Sequence, residues 1–178
     1  MNKMLATLLC LAPLSAFAAP ITGTISLTGQ DTYTSTRINF MGNGNVGPGT
    51  ATGSFSPAFS VGCVGCAALT SFDYVGFTAP VTVYSAVIGA TTTAFTITSI
   101  AFEHQAGAFL DISALGYATL IGFDQTPGTF ELSSQGGKNK AVTFSATEIA
   151  TPNRVPEPLS VAMLGSALVG LGMIRRKR

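Results

Sequence analysis

"PVTVYSAVIGATTTAFTITSIAF", residues 80–102, decides the fold class. In its first half Val81, Val83 and Ser85 alternate with Thr82 and Tyr84. In its second half Phe95, Ile97 and Ser99 alternate with threonines. A period of two, rich in β-branched and aromatic residues and punctuated by glycine, is the mark of strands with two unlike faces. The pattern spreads outward along the chain. Ile25 and Leu27 carry it in "TGTISLTG", Ile38 and Phe40 in "RINFMG", Phe130 and Leu132 in "GTFELSSQGG", and Val142 and Phe144 in "KAVTFSATEIA". "GNGNVGPGTATG" reads as a loop, and "SFSPAFSV", with Phe55 and Phe59, as a strand after it. "FLDISALGYATLIGF" reads as two strands about a bend at Gly116. Asp124, Thr126, Pro127 and Gly128 read as a hairpin turn, and "SQGGKN" as a second turn. No amphipathic helical stretch of useful length interrupts the series. About nine short strands predict an all-β fold, a single jelly-roll-like β-sandwich over residues 19–154.

The flanks of that body read differently. "MNKMLATLLCLAPLSAFAAP" begins with Lys3, continues through an apolar stretch of 11 residues (4–14), and reaches the small residues Ala16 and Ala18 around Phe17. Charge, short apolar run and small-x-small site in that order predict a secretory signal helix over residues 1–18, cut between Ala18 and Ala19. Export through a Sec-type machinery follows. Leu9 before Cys10 argues against a lipid-modified cysteine, because a small residue belongs there.

Residues 155–178 form the other flank. Residues 159–174 are 16 positions without a charge. As a helix they reach about 24 Å against a hydrocarbon core of about 30 Å, a short transmembrane span. Arg175, Arg176, Lys177 and Arg178 follow directly and orient the span, with a cytoplasmic basic tail and the body outside. Gly165, Gly170 and Gly172 weaken the helix. Pro156 and Pro158 keep the approach extended, so Val155, Pro156, Glu157 and Pro158 form an accessible peptide beside a membrane.

This order of Val-Pro-Glu-Pro, short apolar helix and basic cluster resembles the PEP-CTERM sorting signal of bacterial exported proteins. "GFDQTPGTFELSSQGG" running into "VTFSAT" is similar to the end of many ectodomains of that family. The resemblance implies cleavage near residues 155–158 by an exosortase, a membrane-embedded protease-transpeptidase. It also implies a link to exopolysaccharide and biofilm, with the body first held at the cytoplasmic membrane and then passed to the envelope or the extracellular matrix. The sorting residues would then be substrate, not catalyst. The competing reading is a plain single-pass anchor. A glycolipid-anchor signal would end apolar, which the basic cluster opposes.

Charge narrows the partners of the body. Its 136 residues suit one domain with its own core. Four basic residues against seven acidic ones leave a net charge of −3. No basic patch offers itself to nucleic acid.

Few residues suggest chemistry. Cys63 and Cys66 in "VGCVGC" have C-x-x-C spacing, but zinc needs four ligands and His104 is the only histidine. In an exported protein the pair most naturally forms a local disulfide, with free thiols as the alternative. Serines, His104 and several aspartates permit a Ser-His-Asp reading on paper. No G-x-S-x-G elbow positions them, and a surface histidine at a strand end is preferred. Asp31, Asp73, Asp111 and Asp124 lack the spacing of a calcium loop. The expectation is therefore a non-catalytic body without metal or cofactor. A lectin-like, carbohydrate-binding module is the main alternative, resting on fold analogy, and a secreted hydrolase a weaker one.

Overall fold

The computed structural model describes residues 18–136 and 142–150. Twelve strands run through them: β1 (Ala19–Pro20), β2 (Gly23–Tyr33), β3 (Arg37–Phe40), β4 (Gly44–Val46), β5 (Cys63–Leu69), β6 (Phe72–Asp73), β7 (Val81–Ile88), β8 (Thr91–Ala106), β9 (Phe109–Leu120), β10 (Phe123–Asp124), β11 (Thr126–Gln135) and β12 (Val142–Ala150). The all-β class stands. The sandwich does not: eight of these strands close into a barrel in the order β2–β12–β11–β9–β8–β7–β5–β4 and back to β2, every neighbour antiparallel. The closing seam is the ladder of β12 on β2, which runs from Val142 opposite Asp31 to Ala150 opposite Gly23. A sandwich leaves two sheets with open edges; a ring removes them. Pairing between the first and last long strands is a long-range fact with no local trace in the alternation.

An eight-stranded ring is just wide enough for side chains to fill it. Ile25 and Leu27 of β2, Phe95 and Ile97 of β8, Leu110, Ile112 and Ala114 of β9, and Phe130 and Leu132 of β11 are all buried. Thr28, Gln30, Asp111, Thr119 and Glu131 alternate with them and face water. This is the reverse of the apolar-out, polar-in pattern of barrels that cross a bilayer. Phe95 lies against Phe130, ring centroids 5.9 Å apart. Room for Phe95 comes from two glycines directly opposite one another, Gly116 and Gly128. A Cβ on Gly116 would collide with the Thr96 carbonyl, and one on Gly128 would stand 3.2 Å from the Phe95 ring. Gly116 is thus a packing residue inside continuous β9, not the bend the sequence suggests.

The barrel has two unlike ends. At the base, β2 begins, β12 ends, and the chain turns at Gly89 and Gly122. Here "SFSPAFSV" departs from its strand reading: Gly53–Phe55 is a 3-10 turn and Ser56–Phe59 a short helix. Phe55 and Phe59 are spaced four apart, which is one helical face, and both are fully buried. Thr52 and Ser54 donate backbone N–H groups to the carbonyls of Thr24 and Thr22, fastening this turn to the start of β2. At the top, β3 pairs with β2 and β6 with β3, forming a flap outside the ring.

Local chemistry explains three more departures. The ladder between β7 and β8 steps from Thr82–Thr96 to Tyr84–Phe95, so a bulge turns Val83 and Tyr84 both inward. The turn expected at 124–128 falls at Ile121–Gly122, where Gly122 holds φ 88°. Pro127 sits within β11, one residue beyond Gly128, where the ladder with β12 ends. β4 lies within the glycine-rich stretch read as a loop.

Candidate functional site

The most elaborated outer surface lies at the top, on β8, β9 and β11. Antiparallel register sets it out in rows. Phe102 stands opposite Ser113, and Ser113 opposite Glu131; His104 stands opposite Asp111, and Asp111 opposite Ser133; Ala106 stands opposite Phe109, and Phe109 opposite Gln135. Phe102 and Phe109 are each about half exposed, unusual for phenylalanine. Phe102 and His104, two apart on one strand, hold their rings nearly parallel with centroids 6.3 Å apart. The Ser113 hydroxyl donates to a Glu131 carboxylate oxygen at 2.7 Å.

β8 reaches this face by outrunning its neighbour. Its pairing with β7 ends at Val81–Ile97, and two register shifts against β9 follow, at 97–99 and 100–102. Bulges there twist the strand and blunt its open edge. The arm is tied back at one point, the carbonyl of Thr34 in the β2–β3 turn. That oxygen accepts from Gln105 Nε2 at 3.0 Å and from the Tyr74 hydroxyl at 2.5 Å. Burial pushes the Tyr74 phenol up to about 12, helped by the negative charge of Glu103 and by Tyr33.

His104, Asp111 and Ser113 do share this face. No hydrogen bond joins the His104 side chain to that of Asp111 or Ser113. Ser113 gives its proton to Glu131, and the one ion pair among the described residues is Arg37–Asp73, 2.8 Å.

Cys63 and Cys66 are joined by a disulfide at the start of β5. Between them Val64 is almost wholly exposed and Gly65 takes φ 68°. Asn43 Nδ2 donates to the Gly65 carbonyl at 2.9 Å, and the Gly65 N–H donates to Asn45 Oδ1 at 2.7 Å. The tip is therefore stapled covalently and pinned to its neighbour strand. Among the described residues no group of three His, Cys, Asp or Glu side chains could hold a metal ion. The four aspartates are spread accordingly, with Asp73 on the flap and Asp124 in β10.

One group escaped the sequence reading. Asp31 is wholly buried inside the barrel, and the Ser134 hydroxyl lies 3.0 and 2.9 Å from its two oxygens. Burial pushes the carboxyl up to about 6, with the Ser134 hydrogen bond pulling the other way. The signal was present: alternation from Ile25 and Leu27, continued in phase, places Asp31 and Tyr33 inward.

Of the export and sorting residues, Ala18 is half-buried and Ala19 exposed in β1. Ala16, Val155, Pro156, Glu157, Pro158, Arg175, Arg176, Lys177 and Arg178 lie outside the described residues, as do residues 1–17 and 159–174, the stretches expected to form the two terminal helices. Among the described residues no helix is long and apolar enough to cross a membrane. No protein-family model, curated protein or solved structure matches the chain.

Proposed function

We propose that this chain is an exported, non-catalytic component of the bacterial envelope or extracellular matrix, sorted through residues 155–178 and processed there by an exosortase. The body then has a structural or interaction role linked to exopolysaccharide and biofilm. The observation that carries this reading is the order of Val155, Pro156, Glu157 and Pro158, the uncharged run 159–174, and the cluster Arg175, Arg176, Lys177 and Arg178. A signal helix over 1–18 and a transmembrane helix over 159–174 belong to the same proposal. Two features of the body support it. The Cys63–Cys66 disulfide suits an oxidising, exported compartment. Ala19 is exposed in a two-residue strand, so a cut before it leaves the ring of eight strands untouched. The test is the intact mass of the mature protein from its host, with cell fractionation. A C-terminus within 154–158, in medium or matrix, is expected. A membrane-bound chain that retains residues 159–178 would mean a plain anchor instead.

A second reading, carbohydrate binding, is favoured by one observation: half-exposed Phe102 and Phe109 standing among Asp111, Ser113 and Glu131. Apolar rings beside hydroxyls and carboxylates suit a neutral sugar chain with its own apolar and hydroxyl faces. Pull-down on host polysaccharide should then succeed with the parent protein and fail with Phe102→Ala/Phe109→Ala. Equal retention of both proteins would remove the reading.

A further inference from the structure

The base of the barrel differs from the top in charge. Arg37, Asp73, Glu103, His104 and Asp111 all belong to the top or to its flap. Among the described side chains at the base, Asp124 in β10 is the one charge. Exposed apolar residues occur at both ends, but at the base they are not interleaved with charges. Val87 is 48% exposed and stands opposite Thr92. The Thr92 carbonyl accepts from the N–H of Ile121, which is 62% exposed. On the other side of β7, β5 begins with the stapled tip, where Val61 is 77% and Val64 93% exposed. These four side chains follow the rim from β5 through β7 and β8 to the end of β9. A tip held by a disulfide and two asparagine bonds needs little further ordering to present Val64.

The chain also leaves from this end. β12 closes at Ala150, opposite Gly23. Residues 151–158 separate it from the apolar run, and eight residues reach at most about 28 Å when fully extended. A barrel tethered so closely has its base toward the membrane. Among the described side chains that end carries one carboxylate, Asp124, so it meets an anionic lipid surface with little repulsion.

We propose that, while residues 159–174 hold the chain in the membrane, the base rests on the lipid surface with Val61, Val64, Val87 and Ile121 in the headgroup region. The top, with Phe102 and Phe109, then points away. This rests on the membrane-tethered stage of the reading above. Contact at the base keeps the end of β12 close to the bilayer, within reach of a membrane-embedded enzyme that acts on Val155 to Pro158. The occupant of the rim is lipid.

The chain contains no tryptophan, so each introduced indole reports alone. Full-length Ile121→Trp, Val64→Trp and Phe109→Trp are reconstituted in phosphatidylethanolamine–phosphatidylglycerol vesicles, with and without brominated acyl chains. All three sites are exposed, so each variant keeps the fold, and its far-ultraviolet spectrum checks this. Trp at 121 and at 64 should emit at shorter wavelength and be quenched severalfold by brominated lipid; Trp at 109 should not. If the chain floats with the vesicles but the base sites quench no more than position 109, the rim proposal is overturned and the tether stands. If the chain does not float at all, the tether fails and takes the rim with it.

Discussion

The two ends of the barrel solve the same problem, how to close a ring of strands, by different chemistry. The base is sealed with hydrocarbon: Phe55 and Phe59 on a helical turn, with Ile21 beside them in the same core. The top has buried side chains of its own, Tyr33, Ile38, Leu110 and Phe72, and adds hydrogen bonds to them. Asp31 meets Ser134 inside the ring, and a single carbonyl at Thr34 gathers Gln105 and Tyr74. Apolar burial is non-directional and tolerates pH; a buried polar network is directional and fails when one member changes. The bulged, half-free arm of β8 also belongs to the top. Stability should therefore be concentrated from the middle to the base, with adjustable behaviour above.

The largest effect should follow from Phe95→Ala. Phe95 is wholly buried, contacts Phe130, and fills the space left by Gly116 and Gly128. Glycines cannot lean in to fill the hole, so a cavity persists and the cost is about 3–5 kcal/mol. Denaturant unfolding measures it. A loss below about 1 kcal/mol would mean that the ring relaxes around the site and that its middle is not rigid.

Asp31→Asn should act in the opposite direction and only above a certain pH. The folded pKa of Asp31 is about 6 against 3.8 for the ordinary group. A raised carboxyl favours the protonated fold, so its stabilising contribution is complete below the ordinary value and lost as pH rises through 6. At neutral pH the ionised, buried group then costs the fold up to about 3 kcal/mol, from about 1.4 kcal/mol per pH unit. Asparagine keeps a partner for Ser134 and carries no charge. The variant should match the parent at about pH 4 and exceed it at about pH 8, as read by thermal melts. Identical pH profiles for the two proteins would show that Asp31 stays hydrated and that the top is less dry than its packing implies.

This comparison also marks what was legible in the sequence. Clean alternation, as at Phe130 and Leu132 of β11, could be read because each residue's surroundings repeat every second position, whereas 126–128, read as a turn, begin the same strand. The phase of Ile25 and Leu27 even contained Asp31. Closure could not be read, because the β2–β12 pairing joins residues more than a hundred apart. Phe55 and Phe59 fit a period of two and a spacing of four equally well, and Pro57, at the start of the helical turn, decides between them. The aromatic face at the top emerges only when the register sets Phe102, Ser113 and Glu131 in one row. Its residues come from three strands, and neighbours across strands are invisible along one.

The smallest expected effect tests the tie at Thr34. Tyr74→Phe removes one donor, but Gln105 still satisfies the carbonyl, so the loss should be about 1 kcal/mol. Gln105→Ala alone should cost a similar amount, since Tyr74 remains. The double variant is decisive: the part-buried Thr34 carbonyl then keeps neither donor, and an unsatisfied acceptor costs up to about 1–3 kcal/mol when it is fully buried. The pair should cost more than the sum of its parts by at least about 0.5 kcal/mol in a double-mutant cycle. Simple additivity would mean that water replaces both donors at Thr34. The arm of β8 would then be held by the β8–β9 ladder alone, and the top would be a free hairpin rather than a network.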